Sequence, residues 1–91
     1  EVATDVELAA RFAIRPARTV VQRGEHVAMH IQAASQLQVP VRLFDASGRM
    51  VYSQSFLRDG DYIIPSDIAP GLYIMQGVNG SETSSVKIIV K

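Results

Sequence analysis

Apolar and polar positions alternate through most of this chain, and the alternation has the period of a strand. From His26 to Ala33, Val27, Met29, Ile31 and Ala33 fall on one face and His26, Ala28, His30 and Gln32 on the other. Successive side chains of an extended backbone point to opposite sides, so a period of two marks a half-buried strand. Val39 to Phe44 repeats the pattern, with Val41 and Leu43 in phase and Pro40 near the strand's beginning. Asp45-Ala46-Ser47-Gly48 then forms a strong turn signal. The aspartate carboxylate can cap the turn, and the glycine accepts the left-handed backbone of a bulged hairpin. The return strand is expected from Arg49 to about Phe56.

The flanking segments are shorter. Phe12 to Ile14 reads as a strand ended by Pro16, whose missing N–H suits an edge. Thr19-Val20-Val21 is another, before a turn at Arg23-Gly24-Glu25. Asp59-Gly60-Asp61 marks a turn, Tyr62-Ile63-Ile64 a strand closed by Pro65, and Ser66 to Gly71 a loop. Leu72 to Val78 and Glu82 to Val90 flank Asn79-Gly80, a strong hairpin signal because both residues accept positive φ. In the last strand Val86, Ile88 and Val90 share one face, while Lys87, Ile89 and Lys91 share the other. The acidic, alanine-rich lead before Phe12 reads as a linker. Seven or eight short strands, with no long helix, predict an all-β fold: an immunoglobulin-like antiparallel β-sandwich.

Composition narrows the function. Ninety-one residues support a single core. The formal net charge is zero, so no overall field attracts nucleic acid or an anionic membrane, and the arginines are scattered instead of striped with aromatics. There is no cysteine, which excludes disulfides, thiolate chemistry and a Cys-based zinc site. His26 and His30 lie about 13 Å apart on a strand at ~3.3 Å per residue, too far for one ion. Ser81, Ser84 and Ser85 have no G-x-S-x-G context or nearby histidine. Asp59, Asp61 and Asp67 cluster loosely around a turn, and turn chemistry accounts for them. No glycine-rich phosphate loop is present. The residues alone describe a non-enzymatic β-module with no cofactor.

Three segments together resemble a known family. Phe44-Asp45-Ala46-Ser47-Gly48-Arg49-Met50-Val51 is similar to its aspartate, glycine, basic residue, valine pattern. Ile68-Ala69-Pro70-Gly71-Leu72-Tyr73-Ile74 is similar to its leucine-x-proline-glycine-x-tyrosine pattern. Lys87-Ile88-Ile89-Val90-Lys91 resembles its closing, lysine-flanked apolar strand. The family is the type A C-terminal sorting domain of the type IX secretion system of Bacteroidetes, and the likeness covers about Ala13 to Lys91. One departure is Arg15-Pro16-Ala17-Arg18, where the family usually has a proline-asparagine-proline opening.

The resemblance implies a signal, not a catalyst. Residues 1–11 become the linker from a preceding passenger domain, and 12–91 the sorting domain. Such domains direct a periplasmic passenger to the outer-membrane translocon and its shuttle protein. A sortase-like peptidase commonly removes the domain and joins the passenger to an anionic lipopolysaccharide at the cell surface. The positions expected to be read are Gly48, Arg49, Val51, Gly71, Tyr73, Lys87, Ile88, Ile89, Val90 and Lys91. An exposed edge on the last strand would let a partner add a strand, and the lysines would equally guard such an edge. The alternative is an adhesion or glycan-binding sandwich acting from its loops, which calls for exposed aromatics in a chain without tryptophan.

Overall fold

The computed structural model describes residues 12–32 and 38–91. The proposed linker, 1–11, and Ala33 at the end of the expected third strand lie outside them. Among the described residues eight strands follow in chain order: β1 (Ala13–Pro16), β2 (Val20–Val21), β3 (His26–Gln32), β4 (Val39–Phe44), β5 (Met50–Phe56), β6 (Gly60–Ile63), β7 (Gly71–Asn79) and β8 (Glu82–Val90). They form a three-stranded sheet, β1-β3-β6, and a five-stranded sheet, β2-β8-β7-β4-β5. The two sheets face each other across one core, an immunoglobulin-like β-sandwich.

The period of two explains the core. Val27 and Met29 of β3, Val39, Val41 and Leu43 of β4, Tyr73 and Met75 of β7, and Ile88 and Val90 of β8 all point inward and are buried. Fully burying such a side chain contributes about 1.5–3 kcal/mol relative to leaving it in water. Tyr62 of β6 spans the sandwich. Its ring meets Tyr52 edge-on at 5.4 Å and stacks on Phe56 at 6.1 Å, and its hydroxyl donates to the Val41 carbonyl at 3.0 Å. Burial pushes that phenol well above its ordinary pKa, so it stays a donor. Where β1 crosses β7 the space is tight: a Cβ on Gly77 would lie 2.6 Å from Ile14 Cγ2.

Four details depart from the alternation-based expectation. First, among the described residues one ladder is not antiparallel: β2 runs parallel to β8 with Val20 opposite Ile89 and Val21 opposite Val90. Second, the β7–β8 loop is Gly80-Ser81, not Asn79-Gly80. Asn79 pairs with Glu82, Gly80 has φ 65°, and no non-glycine residue among those described has positive φ. A two-residue loop with glycine first is the type II′ solution.

Third, β6 begins at Gly60, inside the expected turn, because Asp59 anchors the chain to β3. The Asp59 carboxylate accepts the Ile31 N–H and pairs with His30 Nδ1, each at 2.8 Å. Fourth, side chains close the flanks of the sandwich. The Gln54 amide donates to the Asp61 carbonyl and accepts the Ile63 N–H, so one side chain stands in for a missing strand along β6. On the other flank Ser84 Oγ accepts the Ile14 N–H at 3.2 Å.

Candidate recognition site

The three motif-bearing segments converge on one end of the five-stranded sheet. Phe44 pairs with Ile74, Leu72 with Ile89, and Gly71 with Val90, which sets the β4–β5 hairpin, the start of β7 and the end of β8 side by side. The hairpin and the Asp67–Tyr73 segment wall a surface groove of about 430 Å³.

The hairpin is built around Asp45. Its carboxylate accepts from the Ser47 hydroxyl at 2.7 Å and from the Ser47 and Arg49 N–H groups at 3.0 Å each. These donors, led by the Ser47 hydroxyl, hold the carboxyl below its ordinary pKa. Gly48 closes the turn with φ 89° and donates its N–H to the Asp45 carbonyl. The turn leaves Arg49 extended into solvent. Its side chain is 80% exposed and its Nε reaches Asp45 Oδ2 only at 3.5 Å. A bulge follows, since Leu43 pairs with Tyr52 but Phe44 pairs with Met50. The extra residue is Val51, which packs against the core.

Across the groove Gly71 takes φ 147°, a conformation that L side chains rarely adopt. Tyr73, two residues on, is buried, and its hydroxyl donates to the Ala69 carbonyl at 2.5 Å. A tyrosine tying back to the backbone just upstream of its own strand is an immunoglobulin-like corner. It fixes the Ile68–Gly71 loop as the second wall.

The ten candidate residues therefore divide by position. Ile88, Val90 and Tyr73 are core, Val51 is half-buried, and Gly48 and Gly71 set backbone direction. Arg49, Lys87, Ile89 and Lys91 present side chains to solvent. The expectation of an open edge along the end of β8 is corrected. The Thr19 carbonyl accepts the Ile89 N–H at 2.8 Å, and the Val21 carbonyl accepts the Lys91 N–H at 2.9 Å. Strand β2 covers that edge, so what remains accessible there is the face.

Beside Ile89 and Lys87, which alternation had placed outward, that face carries Val20, Leu72, Ile74, Phe44 and Met50, which it had not singled out. Val20, Ile89 and Leu72 form one cross-strand row, and Lys87, Ile74, Phe44 and Met50 the next. Val20 is 50% exposed, Ile89 40%, Leu72 43% and Met50 52%. The signal was present in Leu72-Tyr73-Ile74-Met75, where four apolar residues in succession make both faces of a strand apolar. His26 and His30 lie on the other sheet and are exposed. No group of three or more His, Cys, Asp or Glu among the described residues could hold a metal ion. Every phenylalanine and tyrosine is buried or half-buried, which leaves no exposed ring on which a sugar could stack.

The model of the secretion system C-terminal sorting domain matches residues 25–91, and the chain belongs to that family. The matched residues contain β3 to β8 and both walls of the groove. The family provides the C-terminal sorting signal of type IX secretion and is not an enzymatic family. The chain thus acts with the type IX machinery in export to the outer membrane or cell surface. Among solved structures, the CARDB domain of a Pyrococcus furiosus protein in complex with di-metal ions is similar at 12% identity and a TM-score of 0.45; the match covers 88% of this chain and 90% of that one. No curated protein sequence matches the chain.

Proposed function

We propose that the type IX shuttle protein and translocon read this sorting domain at the end of the five-stranded sheet, through Arg49 on the hairpin and Lys87, Ile89 and Lys91 on the last strand. The observation that carries the reading is the convergence of the three motif segments on that one end. Gly48, Gly71 and Tyr73 act by holding the walls in place, and Ile88, Val90 and Val51 by anchoring the strands that present the readable side chains. Residues 1–11 serve as the linker to the passenger. The passenger is periplasmic in transit, and a sortase-like peptidase then removes the domain and joins the passenger to an anionic lipopolysaccharide at the surface.

A reporter fused ahead of the chain tests this. Deleting Val86 to Lys91 traps the fusion in the periplasm, but it also removes a core strand. The cleaner variant is Arg49→Ala with Lys87→Ala and Lys91→Ala, all at exposed positions whose truncation moves stability little. Expected is periplasmic retention with an unchanged melting temperature. Normal surface delivery of the triple variant overturns the assignment of these residues.

A further inference from the structure

We propose that the outward face of the five-stranded sheet docks a protein partner whose contacting surface is apolar and carries carboxylates. The inference rests on the sorting-signal reading above and deepens it, because it names the surface and the chemistry of what covers it.

Two rows define the face: Val20, Ile89 and Leu72, then Lys87, Ile74, Phe44 and Met50. Cross-strand neighbours lie about 4.5–5.5 Å apart at Cβ, so these side chains form one continuous patch. A sheet face turned to water is ordinarily polar, and a contiguous exposed apolar patch marks an interaction surface. Charge decides what it receives. No outward position of β2, β4, β5, β7 or β8 is an aspartate or glutamate; the charged residues there are Lys87 and Arg42. Neither has an ion-pair partner among the described residues, unlike Arg18 with Glu25, His30 with Asp59 and Arg49 with Asp45. Covering the patch desolvates both cations, which is costly unless the partner supplies carboxylates.

The mode of docking also follows. The last residues of β8 are closed to strand addition by β2, so the partner packs on the face. Among the described residues no strand covers the outer edge of β5. The Ile89 N–H faces β2, and stepping across the alternating ladders from there leaves the Ser53 N–H pointing away from β4. Ser53→Pro therefore blocks strand addition on β5 without breaking a bond among the described residues.

The test uses the reporter fusion for delivery and the purified chain for melting, sedimentation and vesicle binding. Expected is at least a tenfold loss of surface delivery for Ile89→Glu with unchanged melting, and a larger loss for Lys87→Glu than for Lys87→Gln. Ser53→Pro is delivered normally, and the purified chain is monomeric and ignores phosphatidylglycerol vesicles. If the native fusion itself is not delivered, the sorting reading fails and this inference falls with it. If the native fusion is delivered and Ile89→Glu equally so, only the docking face is overturned. Loss with Ser53→Pro alone assigns the partner to the β5 edge and overturns face docking. A dimer that Ile89→Glu dissociates makes the occupant a second copy, and vesicle binding that Ile89→Glu abolishes makes it a lipid surface; either result overturns the protein partner proposed here.

Discussion

The two sheets of this sandwich turn very different faces to solvent. On the three-stranded sheet Arg15 pairs across to His30, Ala28 to Asp61 and His26 to Ile63, so charges of both signs and small residues are interspersed. Asp59 adds a bond to His30 at its margin. On the five-stranded sheet the same kind of strand carries Leu72, Ile74, Phe44 and Ile89 with two cations and no carboxylate. The core demands nothing of either outward face. On the docking proposed above, the difference reflects what the five-stranded sheet meets outside the molecule, and the polar sheet serves as the control for the apolar one.

The largest effect that sharpens this comparison lies within one strand. Ile88 is fully buried and Ile89, its neighbour, is 40% exposed. Ile88→Ala should destabilise the domain by about 2–5 kcal/mol, whereas Ile89→Ala costs less than about 1 kcal/mol. Chemical denaturation of the two purified variants measures the gap; equal losses would mean that the two faces of β8 are not divided as described.

Gly77→Ala comes next. The added methyl meets Ile14 Cγ2 at 2.6 Å, so β1 must shift, at a cost of about 1–3 kcal/mol. The apolar face lies on the opposite side of the same sheet. Delivery of the fusion should therefore survive wherever the fold does, and loss of delivery at full stability would break the separation of core from face.

Tyr62→Phe removes one strut between the sheets and should cost about 1 kcal/mol in thermal or chemical denaturation. The smallest effect is electrostatic and belongs to the polar sheet. The Ile31 N–H and then His30 lower the Asp59 pKa from its ordinary 3.8. A carboxyl whose pKa is depressed on folding contributes stability above its unfolded pKa and loses it as pH falls through the folded value. The melting temperature should thus decline below about pH 4. Asp59→Asn should flatten part of that decline, and an unaltered profile would remove the Asp59 anchor from the account.

Much of this was legible in local pattern. The alternation in Val27, Met29 and Val41, Leu43 placed strands and core faces, and Asp45 with Gly48 placed the bulged hairpin that presents Arg49. The division of Lys87, Ile89 and Lys91 from Val86, Ile88 and Val90 also held. What local pattern could not carry were contacts between residues far apart in the chain. Nothing in Thr19-Val20-Val21 says that it lies parallel to the chain's last strand and covers its edge. Nothing in Gln54 says that its amide completes β6, or in Asp59 that it draws Gly60 into a strand. The Asn79-Gly80 signal marked the hairpin, but the pairing of Asn79 with Glu82 moved the loop by one residue.

One matched pair of variants tests the central claim most directly. Ile63 on the polar sheet and Leu72 on the apolar sheet are exposed to nearly the same degree, 42% and 43%. Ile63→Glu and Leu72→Glu therefore place the same new charge on the same kind of surface, at similar cost to stability, within about 1 kcal/mol. Measured as the fraction of reporter reaching the cell surface, Ile63→Glu should match the native chain and Leu72→Glu should fall at least tenfold at the same melting temperature. Equal delivery of the two would contradict the claim that the machinery reads the five-stranded face.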